Sequence, residues 1–448
     1  MLKRRTTALL VAPVLVMGLT AHVTVASNAG ARLVKDINPG PGSALRLGYQ
    51  PPNFFTDVHN TLFFVARDPV HGWELWKTDG SRSGTVLVKD INPSASSNPG
   101  GPGGEFPGAP LAIRRTLYFP ADDGVHGFEL WKSDGTRAGT VLVKDINQSG
   151  DSFPGWLTRV GRTIFFQASA SPDDRAELWK SDGTRGGTVL VKEFPVSQLN
   201  LSLDDFTRVG DTLFFKADDG IHGLELWKSD GTEVGTAMVK DIDPEGPSLY
   251  SSLHNLTNVN GTLFFSAADG THGPELWKSD GTEAGTVMVK DINPSLGHGS
   301  DAYPFAAVGG TLFFTANDGV HGDELWKSDG TDLGTVMVKD INPSRSSGPF
   351  FFVGAGGTVF FFANDGRHGY ELWKSDGTRS GTVLVTNIVA NKRDAWRGLE
   401  LAKSGGTLFF SANDGVHGQE LWKAMAVPMT PQTGHEVGAE NGLLAETT

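Results

Sequence analysis

The chain has 448 residues, no cysteine, 58 glycines and a formal net charge of −13. Without cysteine there are no disulfide staples, so stability has to come from a packed core, which a chain of this length can bury. A chain this acidic repels phosphate backbones and its linear sequence shows no basic run, so nucleic acid is not an expected partner.

Residues 1–26 read as a secretory signal peptide. Lys3, Arg4 and Arg5 form a basic start, Ala8 to Ala21 is apolar apart from Pro13, and Thr24-Val25-Ala26 offers small residues for cleavage. The apolar run is shorter than the ~20 residues of a membrane span, so no transmembrane anchor is expected. Export to the periplasm, outer surface or medium follows. Removing this segment leaves 35 Lys+Arg against 51 Asp+Glu, a formal charge of −16.

From residue 27 to 423 a repeat governs the sequence. Glu-Leu-Trp-Lys occurs eight times, with its tryptophan at Trp76, Trp131, Trp179, Trp227, Trp277, Trp326, Trp373 and Trp422. Each unit divides into four short strands, here called A to D. In the fourth unit these are Phe206 to Val209, Thr212 to Lys216, Glu225 to Lys228 and Ala237 to Ile242. Gly210-Asp211, Asn260-Gly261 and Gly309-Gly310 suit the tight A–B hairpins. Nothing has helical periodicity, and glycine and proline punctuate every link. Four antiparallel strands per unit of about fifty residues predict a single eight-bladed β-propeller.

The two ends of the repeat fit one another. The eighth unit stops after Lys423 without a D strand, while Arg32 to Ile37 matches the D strand of the other units. The N-terminal strand is therefore expected to complete the last blade and close the ring, as a monomer. Residues 424–448 read as a flexible tail.

Glu-Leu-Trp-Lys-Ser-Asp-Gly-Thr resembles the signature of the bacterial ELWxxDGT repeat proteins, over about residues 32–423. The first copy departs slightly, with Thr78 and Ser81. The resemblance implies an exported repeat protein and supplies no catalytic residues to carry over.

A His-Gly pair precedes Glu-Leu-Trp in seven units, at His71, His126, His222, His272, His321, His368 and His417. One histidine per blade places them too far apart to share a metal, so each is expected to lock its own B–C turn. Those turns, such as Asp122-Asp123-Gly124 and Asp218-Asp219-Gly220, also suggest calcium. A calcium loop, however, wants acids at alternating positions, and these are adjacent. Turn formation is the preferred reading, with no cofactor predicted.

No nucleophile elbow, phosphate cradle or zinc spacing is present. Symmetry breaks in the D–A connections, which lie on the channel-mouth face and carry an aromatic residue before strand A in seven units. Trp156, Tyr250, Tyr303 and Trp396, beside His298, Asp301, Arg393 and Asp394, are the candidate ligand-binding residues. The resulting expectation is an exported non-catalytic binding or scaffold propeller recognising glycans or cell-surface proteins. An exported polysaccharide hydrolase or lyase and a structural surface or adhesion protein are the alternatives.

Overall fold

The computed structural model describes residues 31–40, 42–45, 55–100, 110–171, 176–195, 203–244, 253–295, 298–355, 357–386, 401–404, 407–413, 416–417 and 419–425. These form eight four-stranded antiparallel sheets, the blades of a propeller, with strands ordered A-B-C-D in each. The A strands touch one another in succession from blade 8 through blade 1 to blade 7 and so line the centre of the ring. Among the described residues no helix is long and apolar enough to cross a membrane.

Blade 4 shows how local sequence makes the unit. Its strands are Leu203–Val209, Thr212–Asp218, Leu224–Ser229 and Ala237–Lys240. Strand A begins three residues earlier than expected because a register shift after Asp204 prolongs the pairing. Strand D ends two residues early because the Ile242 N–H leaves the ladder and donates to the Glu225 carboxylate at 3.0 Å. The A–B hairpins take the positive φ that their residues permit, with Asn260 at 52° and Gly261 at 92°.

Side chains alternate across a strand, so the paired apolar residues of the repeat serve two interfaces. Phe215 and Trp227 pack towards blade 3, with Phe165, Leu178 and Val191. Their neighbours Phe214 and Leu226 pack towards blade 5, with Leu256, Leu263 and Trp277. Strands B and C are thus buried on both faces, which explains why they read as continuous apolar runs.

The octapeptide continues this work between blades. Asp230 accepts the Thr232 N–H at 2.8 Å and its hydroxyl at 2.7 Å, while Ser229 and Thr236 hydroxyls pair at 2.7 Å. The turn so fixed presents the Gly231 carbonyl to the Lys180 ammonium of blade 3 at 2.7 Å. Gly231 has φ +89°, and a Cβ there would lie 3.0 Å from the Phe165 ring of blade 3. A second ladder places Lys192 of blade 3 5.8 Å from the Trp227 ring centroid of blade 4, and Lys240 repeats the arrangement on Trp277.

The N-terminal strand completes blade 8 as the sequence suggests. Ala31–Lys35 pairs antiparallel with Gln419–Met425, with Arg32 opposite Lys423 and Leu33 opposite Trp422. Beyond it, the Ile37 and Asn38 N–H groups donate to Glu420, and the Ala44 N–H donates to the Gln419 carbonyl. Val34, Ile37, Phe409 and Leu421 of blade 8 then pack against Leu62, Phe64 and Trp76 of blade 1. Lys423 donates to the Gly80 carbonyl, the same bond that joins blades 1 to 7 in succession. The signal-peptide expectation and residues 426–448 of the expected tail lie outside the described residues.

Candidate functional site at the channel mouth

The D–A connections and B–C turns share one face and interlock there. In blade 2, Glu129 is fully buried and accepts the Ile146 N–H at 2.9 Å, the Asn147 N–H at 3.2 Å and the Ser152 hydroxyl at 2.7 Å. Asp151 accepts the Phe128 N–H at 2.7 Å. A Cβ on Gly127 would come within 2.5 Å of that carboxylate, which is why glycine follows histidine here. Corresponding glutamates hold residues 91–97, 292–300 and 341–347. Burial, partly offset by these hydrogen bonds, lifts Glu74, Glu129, Glu225 and Glu324 to about 7, and Glu420 to about 8.

The histidines lock the turns, as expected. The Asp219 carboxylate takes the Ile221 and His222 N–H groups at 2.9 Å and the His222 ring nitrogen Nδ1 at 2.8 Å. Burial works against Asp219, but these hydrogen bonds prevail and hold its carboxyl below the usual range. His222 is raised chiefly by its hydrogen bond to Asp219. The acids of these turns, such as Asp122, Asp123, Asp218 and Asp219, accept turn N–H groups. Among the described residues no group of three or more acidic or histidine side chains is placed to hold a metal ion.

The predicted site residues separate. Trp156 packs against the core between blades 3 and 4 and is not presented as a binding surface. His298 and Asp301 are exposed and give backbone N–H groups to Ser295 and Pro274, but their side chains are not brought into a pair. Tyr303 is 53 % exposed at the start of the blade 6 inner strand, and its ring stands edge-on to His254 of blade 5 at 6.5 Å. Tyr250, Arg393, Asp394 and Trp396 lie outside the described residues.

The asymmetry lies one step inward, where each inner strand begins. The inner strands of blades 3, 4, 5 and 7 open on a register shift whose extra residue takes positive φ: Trp156 at 55°, Asp205 at 61°, Asn255 at 62° and Phe351 at 53°. Bulges of this kind aim side chains at barrel and channel rims, and non-glycine residues there carry strain. Cross-strand pairs at this level differ from blade to blade: Gly155 with Gln167, Asp204 with Lys216, His254 with Ser266, Tyr303 with Thr315, and Phe350 with Phe362.

Two chemistries share the rim on separate blades. On blades 4 and 5, Lys216 Nζ lies 3.0 Å from Asp204, both side chains being under a fifth exposed. Burial raises the Asp204 carboxyl, against the attraction of Lys216. Asp205 accepts the Asn255 N–H at 2.7 Å and ties the two blades together. On blades 6 and 7 the rim is aromatic. Phe350 stacks on Phe362 at 5.7 Å and meets Tyr370 edge-on at 5.3 Å, leaving Phe351 58 % and Tyr370 44 % exposed. The signal for this arc was a single column of the repeat, just after Leu-Phe-Phe, that reads Val65, Pro120, Gln167, Lys216, Ser266, Thr315, Phe362 and Ser411.

No family model and no curated protein matches the chain. Solved structures are similar at low identity. A puromycin-hydrolyzing peptidase of Mycobacterium tuberculosis is 13 % identical with TM-score 0.45, covering 83 % of this chain and 60 % of that one. Prolyl oligopeptidase B from Galerina marginata is 13 % identical with TM-score 0.45, over 68 % and 46 %. The β-propeller domain of the Trilobed protease from Pyrococcus furiosus is 11 % identical with TM-score 0.37, over 77 % and 99 %. The chain thus spans about three fifths of the first of these peptidases. The expectation of a non-catalytic propeller recognising glycans or cell-surface proteins through its D–A loops is overturned. The structures found similar are described as peptidases and proteases, and the described D–A segments are clamped to buried glutamates.

Proposed function

We propose that the channel mouth binds peptides that carry both a basic group and an aromatic or aliphatic side chain. One observation carries this reading: the same rim carries Asp205 and the Asp204–Lys216 pair on blade 4 and the exposed Tyr303, Phe351 and Tyr370 on blades 6 and 7. A carboxylate held by a backbone N–H is a rigid acceptor for an ammonium or guanidinium group. Exposed rings on an otherwise polar rim offer apolar contact and cation–π attraction. The Glu-Leu-Trp-Lys-Ser-Asp-Gly-Thr repeat and the segment before residue 27 support reading the chain as an exported ELWxxDGT-type protein.

Fluorescence anisotropy with dye-labelled hexapeptides tests the proposal. Peptides containing Arg-Phe are expected to bind, those containing Asp-Phe or alanine alone to bind at least tenfold more weakly. Asp205→Asn and Phe351→Ala should each weaken the first class about tenfold, equivalent to about 1.4 kcal/mol. Equal binding of all three classes, or no effect of either substitution, would sink the idea. Mass spectrometry of the recovered peptide distinguishes holding from cleavage.

A further inference from the structure

The opposite end of the ring carries a charge pattern that the linear sequence conceals. Five arginines, Arg114, Arg115, Arg159, Arg162 and Arg208, fall at or beside the A–B hairpins of three consecutive blades. Up to 94 residues apart in sequence, they are gathered by the adjacent inner strands at one arc of the far channel end. The corresponding hairpins of blades 1, 5 and 6 are His59-Asn60, Asn260-Gly261 and Gly309-Gly310. All five arginines are exposed.

The C–D turns on the same face divide similarly but one blade earlier, and blade 7 carries Arg379. Blades 1 to 3 carry Arg82, Arg137 and Arg185, where blades 4 to 6 carry Glu233, Glu283 and Asp332. The acids within the basic sector are largely committed. Asp134 and Asp182 each accept an N–H and a hydroxyl of their own turn. Asp211 stands 3.8 Å from Arg208, both exposed, a distance and setting at which attraction is weak. In a chain of net charge −13 this sector stands out as basic.

Two of the guanidinium groups are also held in place. Arg159 Nε donates to the Gly161 carbonyl at 2.8 Å, and Arg208 Nε donates to the Gly210 carbonyl at 2.6 Å. The same bond recurs on neighbouring strands, which are tied by Thr158 to Phe206 at 3.4 Å. Asn258 bonds the Arg208 carbonyl at 2.9 Å on the next strand. Fixing Nε leaves the terminal nitrogens to make forked hydrogen bonds, and the ordering cost of binding is partly met in advance.

We propose that this arc binds a compact, multiply charged phosphate-bearing anion. Arginine forks match phosphate oxygens. The acidic C–D turns begin on blade 4, outside Arg208, and continue on blades 5 and 6, so they oppose a long polyanion laid across the face, and a short ligand fits where an extended one does not.

Isothermal titration of the full chain with inorganic tripolyphosphate, orthophosphate, citrate and single-stranded DNA tests this. Tripolyphosphate is expected to bind one to one, at least tenfold tighter than orthophosphate or citrate, and more weakly at higher salt. DNA should bind less tightly than tripolyphosphate. The double variant Arg159→Ala/Arg208→Ala should lose at least tenfold, while Arg379→Ala on blade 7 should lose less than twofold. Far-ultraviolet circular dichroism establishes that the double variant is folded. Tighter binding of DNA, preference for citrate, or an unchanged double variant would overturn the proposal. Asp205→Asn, at the other end of the channel, should leave tripolyphosphate binding unaltered, so this proposal and the peptide reading fail separately.

Discussion

Replacing Glu129 by glutamine should make the protein less sensitive to alkaline pH. Glu129 has no solvent exposure, and burial lifts its carboxyl from 4.5 to about 7 despite hydrogen bonds from Ser152, Ile146 and Asn147. Between those values the folded protein keeps a proton that the unfolded chain has released. Stability therefore falls as pH rises through this window and levels off above it. From pH 5.5 to 8.5 the single site costs wild type about 2 kcal/mol. Glutamine carries no charge and, with its oxygen in the Oε2 place, still accepts from the Ile146 N–H and the Ser152 hydroxyl, giving up the bond from the Asn147 N–H. Unfolding entropy of ~2.1 cal/mol/K per residue over roughly 400 residues gives ~0.8 kcal/mol/K, so 2 kcal/mol corresponds to ~2–3 °C in Tm. Melting curves followed by tryptophan fluorescence at both pH values give the four Tm values needed. The difference Glu129→Gln minus wild type should rise by ~2–3 °C at the higher pH; other titrating groups, the raised histidines included, cancel in it. Parallel pH profiles of the two proteins would refute the reasoning.

Gly281→Ala should cost about 1–3 kcal/mol, because φ there is +88° and the new Cβ would lie 2.9 Å from the Phe214 ring of blade 4; thermal melting checks it. Lys216→Met should cost about 3–5 kcal/mol by leaving Asp204 buried without its cation, and Lys216→Met/Asp204→Leu should recover most of the loss. Equal stability of the two variants in urea would contradict a buried pair. Deleting residues 1–38 removes the strand that covers Gln419–Met425 and strips Val34 and Ile37 from the seam with blade 1. Light scattering should then show concentration-dependent association through the bare edge, which a synthetic peptide of residues 29–40 should suppress.

The scaffold was legible because it is written eight times. Consecutive Phe214 and Phe215 can be buried together only in a strand covered on both faces, and the tight Asn260-Gly261 link can only be a hairpin. The missing D strand after Lys423 and the surplus one at Arg32 implied that the two belong to one blade for the same reason. The site was less legible. Trp156 looked like a rim residue because aromatics cluster before strand A, but a bulge not visible in the sequence turns it back over the core. The ion pair of Asp204 and Lys216 spans a hairpin whose register that bulge sets, so their opposition follows from backbone geometry more than from spacing. The arginines could not be seen as a group at all, since only the order of the blades brings Arg114 near Arg208.

Symmetry also explains why the conspicuous residues are the wrong place to look for activity. Blades 1 to 6 each spend a lysine on the next blade's glycine carbonyl and an aspartate on their own turn, while buried glutamates hold the exits of several outer strands. A ligand meets none of these groups unpaired. What remains after subtracting them is small and lopsided. On blade 4, Asp204 and Asp205 stand at one end of the inner strand and Arg208 at the other, with no counterpart on blade 6, where Pro304, Ala306 and Ala307 follow Tyr303. A ring built only to present eight equal faces has no use for a buried ion pair on one blade or for held guanidinium groups on two. Such features cost stability through strain and desolvation, and the repeat shows that the fold forms without them.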